Sequence, residues 1–240
     1  GRNKGNGNIY RMEKRILFVL ISLCTVLSAY ADRDIWTKAD LAAFRDEVNS
    51  GNTYEGKTVR LMADIDIASS DNWVPIGLFN TSWDETQNKL VPDETCVFKG
   101  TFDGQGYTIN IDVNSSMTVL GLFGYLYGTV EHLKVNGSVV NGHTATTSST
   151  AGIAAYNKGT ISQCANLANI VGVYAGGIAG ENHGTIENCY NQGYIGATNG
   201  YSGTYYLGGV AGNNDGSISY VYADCTIEFV SSIGGITGNN

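Results

Sequence analysis

Residues 176–190 read GGIAGENHGTIENCY, and residues 208–222 read GGVAGNNDGSISYVY. The two stretches keep glycine, aliphatic and β-branched residues at the same offsets. Taking Gly121, Gly152, Gly177, Gly209 and Gly235 as anchors, the next residue is Leu122, Ile153, Ile178, Val210 and Ile236. Seven places past the anchor stand Gly128, Gly159, Gly184 and Gly216, followed by Thr129, Thr160, Thr185 and Ser217. The ninth place holds Val130, Ile161, Ile186 and Ile218, and the twelfth Leu133, Cys164, Cys189 and Val221. At the eighteenth come Val139, Ile170, Ile195 and Ile227. The anchors are 31, 25, 32 and 26 residues apart, the longer spacings absorbing the loops HTATTSST (143–150) and ATNGYSG (197–203). Self-similarity at this period marks a solenoid.

The energetics of one repeat explain why it must be one of an array. A coil offers about four inward aliphatic side chains, worth roughly 1.5–3 kcal/mol each when buried. Fixing its backbone costs about 1–2 kcal/mol for every residue, so a lone coil cannot fold. Coils stacked at about 4.8 Å pair every strand and bury each aliphatic column from both sides. Many β-formers, few helix formers and 32 glycines against 2 prolines agree with an all-β chain. The expectation is a right-handed parallel β-helix with a small N-terminal α/β cap.

The rest of the chain is arranged around this array. Residues 1–11 look like an upstream extension. Met12 then opens a basic stretch with Lys14 and Arg15, an apolar run over 16–27 and Ser28-Ala29-Tyr30-Ala31. That is the plan of a secretory signal peptide over 12–31, too short for a membrane span, which places the mature chain outside the cell. Residues 32–69 are read as the cap. Thr37 and Asp40 form a capping pair for a helix over 37–49, with Leu41, Phe44 and Val48 on one stripe. Strands are expected over 58–62 and 65–67. Residues 70–116 are read as lead-in coils carrying a polar insertion over 79–95, with a turn-rich strand pair over 98–106. Residues 117–240 hold the repeats. The last breaks off in GGITGNN, so further repeats or domains are expected after Asn240.

Charge and cysteine content narrow the function class. Without residues 1–31 the chain keeps nine basic and twenty-one acidic side chains, a formal net charge of −12. Such a chain is a poor partner for nucleic acid or an anionic membrane surface. Cys96, Cys164, Cys189 and Cys225 form no C-x-x-C pair, so the sequence predicts no metal site and no cofactor.

The repeats GGIAGENHGTIENCYNQG and GGVAGNNDGSISYVYADC resemble the GLUG-motif repeats of exported bacterial surface proteins, which also occur in some IgA-specific metallopeptidases. The segments VNSGNTYEGKTVRLMADIDI, NWVPIG and FKGTFDGQGYTI resemble the lead-in of such proteins, particularly in Bacteroides-like bacteria. The resemblance covers most of residues 35–240. It implies a β-helical exported protein, and the repeats carry no established activity. This chain departs from the pattern at Ala155, which stands for a glycine, and at the bulky Phe123 and Tyr125 of the first repeat.

Individual motifs give little catalytic chemistry. GGIAG lacks the lysine and the following helix of a phosphate loop and recurs along the chain, so it reads as structure. His183 beside Glu181 sits at a variable corner position and reads as solvated. His132 and His143 share neither a coil position nor a carboxylate cluster, and Asp103 reads as a turn residue beside Gly104. H-E-x-x-H is absent, which removes zinc-peptidase chemistry from these residues. FDGQGYTI resembles the lead-in coil of β-helical pectin-degrading enzymes, but an aspartate cluster or a basic groove is missing. Cys164 and Cys189 are expected to stack as small buried residues rather than to form a disulfide.

Aromatic residues supply the best candidate ligand face. Tyr190 and Tyr222 share the thirteenth place, and the loop after Gly196 adds Tyr201, Tyr205 and Tyr206. A tyrosine ladder would suit a glycan, although tyrosines also cover the edges of glycine-rich solenoids. The leading expectation is a non-enzymatic exported scaffold or adhesin-like surface protein, presenting loops to glycans or host surface proteins. The alternative is a carbohydrate-binding region of a larger surface enzyme or adhesin. A β-helical polysaccharide-degrading enzyme ranks third.

Overall fold

The structure is a computed structural model and describes residues 32–78, 80–84, 89–145, 148–228 and 231–240. The expected leader and upstream extension lie outside the described residues. Residues 34–240 form one compact body.

That body is a stack of coils, nearly all β, in which each circuit contributes to four parallel sheets. The first sheet carries Thr58–Leu61, Thr101–Asp103, Thr129–Glu131, Thr160–Ser162, Thr185–Glu187 and Ser217–Ser219 in that spatial order. The second begins with Ile65–Ile67, Thr108–Ser115 and Lys134–Asn141. From there it divides, one branch continuing through Ala165–Asn166, Tyr190–Asn191 and Tyr222–Ala223, the other through Asn169–Gly172 and Ile195–Ala197. The third sheet stacks Val119–Leu120, Ser149–Ala151, Tyr174–Gly176, Tyr206–Gly208 and Ile233–Gly234. The fourth stacks Phe123–Leu126, Ala154–Asn157, Ala179–Asn182, Ala211–Asn214 and Thr237–Asn239.

The register follows the sequence repeat residue for residue. Val130 pairs with Ile161, Ile161 with Ile186, and Ile186 with Ile218. Leu122, Ile153, Ile178 and Val210 are fully buried, as are Val139, Ile170 and Ile195. The glycines of the motif admit close backbone approach. A Cβ at Gly180 would stand 2.6 Å from the Thr150 nitrogen and 2.7 Å from the Ala155 carbonyl oxygen. Both contacts are shorter than a real Cβ tolerates, so the position needs glycine for space rather than for a ligand.

A helix, α1 (Lys38–Asn49), precedes the stack. Thr37 caps it by accepting a bond from the Asp40 nitrogen, while the Asp40 carboxylate accepts from the Thr37 nitrogen. Its stripe of Leu41, Phe44 and Val48 is fully buried. The expected strands beside the helix belong to the coils themselves. Thr58–Leu61 pairs with Thr101–Asp103, and Ile65–Ile67 pairs with Thr108–Ser115. Residues 98–106 likewise do not make a strand pair of their own. Thr101–Asp103 is one rung of the first sheet, flanked by Thr58–Leu61 and Thr129–Glu131. Within the insertion, Asn80–Asp84 and Lys89–Asp93 make an antiparallel hairpin, and Glu94–Cys96 forms a short 3-10 turn.

Two amide ladders run inside the coils, and neither shows in the sequence pattern. The Asn157 amide donates to Asn182 at 2.7 Å, Asn182 to Asn214 at 2.7 Å, and Asn214 to Asn240 at 2.6 Å. Asn166 donates to Asn191 at 2.7 Å. Each buried carboxamide also serves its own turn, as when Asn191 accepts from the Gly193 nitrogen and donates to its carbonyl. Buried amides persist only when their polar atoms are matched, and stacking supplies the match from one coil to the next.

Candidate functional site

Between the first and second sheets five successive coils, from that of Thr101–Asp103 onward, turn through a residue in the left-handed region. These are Gln105, His132, Gln163, Asn188 and Tyr220, with φ from 49° to 53°. Left-handed backbone is uncommon outside glycine, with Asn and His among the more tolerant residues. The corner therefore carries four non-glycine side chains at one offset, His132, Gln163, Asn188 and Tyr220, while Gln105 sits in a turn two residues longer.

Beside this corner lies a depression of about 650 Å³. The first sheet gives it Asp103, the corner turns give Gln105, His132, Gln163 and Asn188, and the second sheet gives Lys134, Ala165 and Tyr190. These residues span almost ninety positions of sequence but only four consecutive coils. Strand register explains the convergence: Asp103 pairs with Glu131, Lys134 with Ala165, and Ala165 with Tyr190.

His132, expected to stand apart from any carboxylate cluster, meets Asp103 here. His132 Nδ1 lies 3.1 Å from Asp103 Oδ1. Asp103, Glu131 and His132 bring one ligand atom each within 4.8 Å of the others. Asp103 is also the turn residue the sequence predicts, accepting from the Gln105 nitrogen at 2.9 Å. The histidine and the aspartate are one coil apart, so their proximity exists only once the coils are in register. The lining mixes one carboxylate, one lysine, one imidazole, three primary amides and a phenol ring, which suits recognition of a polar ligand with an apolar face.

The predicted tyrosines divide into separate groups. Tyr190 and Tyr222 pair in register, and their rings stack with centroids 5.1 Å apart and planes 2° from parallel. Tyr222 is 52% exposed. Tyr206 lies on the third sheet against Tyr174, at 4.7 Å between centroids. Tyr201 and Tyr205 meet edge to face at 5.1 Å, and the Tyr205 hydroxyl donates to the Thr198 carbonyl at 2.6 Å, closing the loop on itself. Tyr190 alone of these five lines the depression.

A second side-chain column stands on the fourth sheet. Tyr125 stacks on Tyr156 at 5.2 Å, and Tyr156 on the ring of His183 at 4.7 Å. His183 also lies 3.2 Å from Asp215 and 3.7 Å from Glu181, and Glu181 accepts from the Ser149 hydroxyl. Burial, reinforced by the nearby Glu181 charge, holds the Tyr125 and Tyr156 phenols above their ordinary value. They stay protonated at neutral pH, as hydrogen-bond donors rather than bases. His183 is thus tied into this column rather than standing free in solvent.

Cys96, Cys164, Cys189 and Cys225 are all unbridged. Cys164 and Cys189 are each 1% exposed, in successive coils, and the Cys164 nitrogen points at the Cys189 sulfur at 3.4 Å. Burial pushes the Cys164 thiol well above its usual range. It is an inert interior group. Among the described residues no helix is long and apolar enough to cross a membrane.

No family model matches the chain, and no curated protein matches it. Among solved structures it is similar to a "putative immunoglobulin A1 protease" from Bacteroides ovatus, at a TM-score of 0.54 and 19% identity. The match covers 85% of this chain and 70% of that one. At this identity the likeness establishes a shared β-helical fold.

Proposed function

We propose that this chain is a non-enzymatic, exported β-helical scaffold of a GLUG-type surface protein, adhesin-like, whose coil walls hold ligands. The carrying observation is the depression at the corner column, where register gathers Asp103, His132, Gln163 and Tyr190 from four coils on one rigid wall. A signal-peptide pattern in the sequence supports export. The fold shared with a Bacteroides ovatus protein supports the kind of chain, and the work of any longer protein around it is a further proposal. The partners are glycans or host surface proteins. The test has two parts. An antibody to the chain should label intact, unpermeabilised cells. The purified chain should leave immunoglobulin A and plant polysaccharides uncut during prolonged incubation. Cleavage by the chain alone would refute the reading, and so would confinement of the label to permeabilised cells.

A second reading is a carbohydrate-binding region within a longer surface enzyme or adhesin. The stacked Tyr190–Tyr222 pair at the edge of the depression favours it, because parallel aromatic rings offer a sugar a flat apolar face.

A further inference from the structure

The outward column of the second sheet reads Thr108, Lys134, Ala165, Tyr190 and Tyr222, one residue for each coil. Its two tyrosines repeat at 5.1 Å, close to the spacing of adjacent strands, so ring follows ring along the stack. One face of Tyr190 is taken by Tyr222. The opposite face looks back along the stack towards the coil of Ala165, where the ladder has a methyl group instead of a ring. The depression lies at that rung.

We propose that a neutral pyranose unit of a glycan occupies the depression at this rung, stacked on Tyr190 beside Ala165. This rests on the carbohydrate reading and gives it a subsite. A pyranose has an apolar face of C–H groups and a rim of hydroxyls, and each finds its complement. Tyr190 supplies the flat surface, and the buried Ala165 and Cys164 leave the floor beside it without charge. Gln163 and Asn188, turned out by the left-handed corner, bring amide donors and acceptors to the hydroxyl rim. Lys134 closes the far side, and the Asp103–His132 pair stands at the edge. The ligand is neutral because carboxylates outnumber cations around the rung. Asp103 and Glu131 occupy successive outward positions of the first sheet, and Glu187 follows two coils further on, beyond Ser162, so a uronate would meet repulsion.

The experiment titrates the full chain with cellotetraose, xylotetraose and mannotetraose, with tetragalacturonate as the charged control, by calorimetry and saturation-transfer NMR. At least one neutral tetrasaccharide should bind, with tetragalacturonate at least tenfold weaker. Tyr190→Ala should weaken binding at least tenfold. Ala165→Tyr should abolish it by completing the ladder, while circular dichroism and melting show the fold kept. Tyr206→Ala, on the third sheet, should leave affinity unchanged. If Tyr190→Ala and Ala165→Tyr both bind as the parent does, the sugar sits elsewhere and the subsite is overturned, while the carbohydrate reading stands. If no tetrasaccharide binds the parent chain, both fail. A preference for tetragalacturonate overturns the neutral assignment.

Discussion

The two ends of the stack fill their interiors by different means. Under α1, Phe44, Phe98, Phe102 and Phe123 are fully buried, with ring centroids 5.5–5.9 Å apart along the cluster. Further along, the column that starts with Phe123 continues as Ala154, Ala179 and Ala211. There the coil is narrow, and stacked asparagines bind its turns. The first solution is made once, from large side chains that must fit a helix. The second repeats, because each coil offers its successor the same methyl and the same amide. A solenoid can therefore begin on an irregular packed plug and then extend by a rule that uses small residues.

Substitutions can break this contrast. Phe44→Ala removes the ring that joins the helix to the first coils and should lower stability by about 3–5 kcal/mol, read by urea denaturation. If the loss were under about 1 kcal/mol, the helix would be an ornament rather than a plug. Asn182→Ala removes the middle of a ladder and leaves an unmatched donor on Asn157 and an acceptor on Asn214. The expected cost is about 2–4 kcal/mol, since an unmatched buried group costs about 1–3 kcal/mol. A neutral result would mean that water replaces the amide. Ala179→Leu asks whether the narrow end tolerates the volume of the wide one. Overpacking should cost about 1–3 kcal/mol, and a stabilised variant would show a cavity beside Ala179. The smallest effect concerns chemistry rather than stability. Cys164 and Cys189 should resist a thiol reagent in the folded chain and react once guanidinium is added, whereas rapid labelling of either would contradict their burial.

Much of the fold was legible because the inward columns are periodic. Leu122, Val130, Leu133 and Val139 predict their successors by offset alone, and the buried positions follow them. The helix was legible for a local reason, since Thr37, Asp40 and the stripe of Leu41, Phe44 and Val48 lie within one short segment. The Asn ladders escaped because Asn157, Asn182 and Asn214 look like ordinary turn residues. Only stacking shows that each faces another amide. The Asp103–His132 pair escaped for the same reason, because Asp103 precedes the first clear repeat and its offset could not be aligned with that of His132. Tyr190 and Tyr222 share an offset that the sequence shows, whereas Tyr206 is near them only in sequence and lies on another sheet.

The central claim is that the chain is a stack of interchangeable coils, each held by its neighbours rather than by a unique core. Deleting residues 152–176 tests this most directly, because it removes one coil of 25 residues from anchor to anchor. The flanking coils should close in register, Leu122 meeting Ile178 and Val130 meeting Ile186. The account predicts a soluble chain with the parent's β-type circular dichroism and one cooperative thermal transition at a lower temperature. An unfolded or aggregated product, when the deletion is cut cleanly at these anchors, would contradict it.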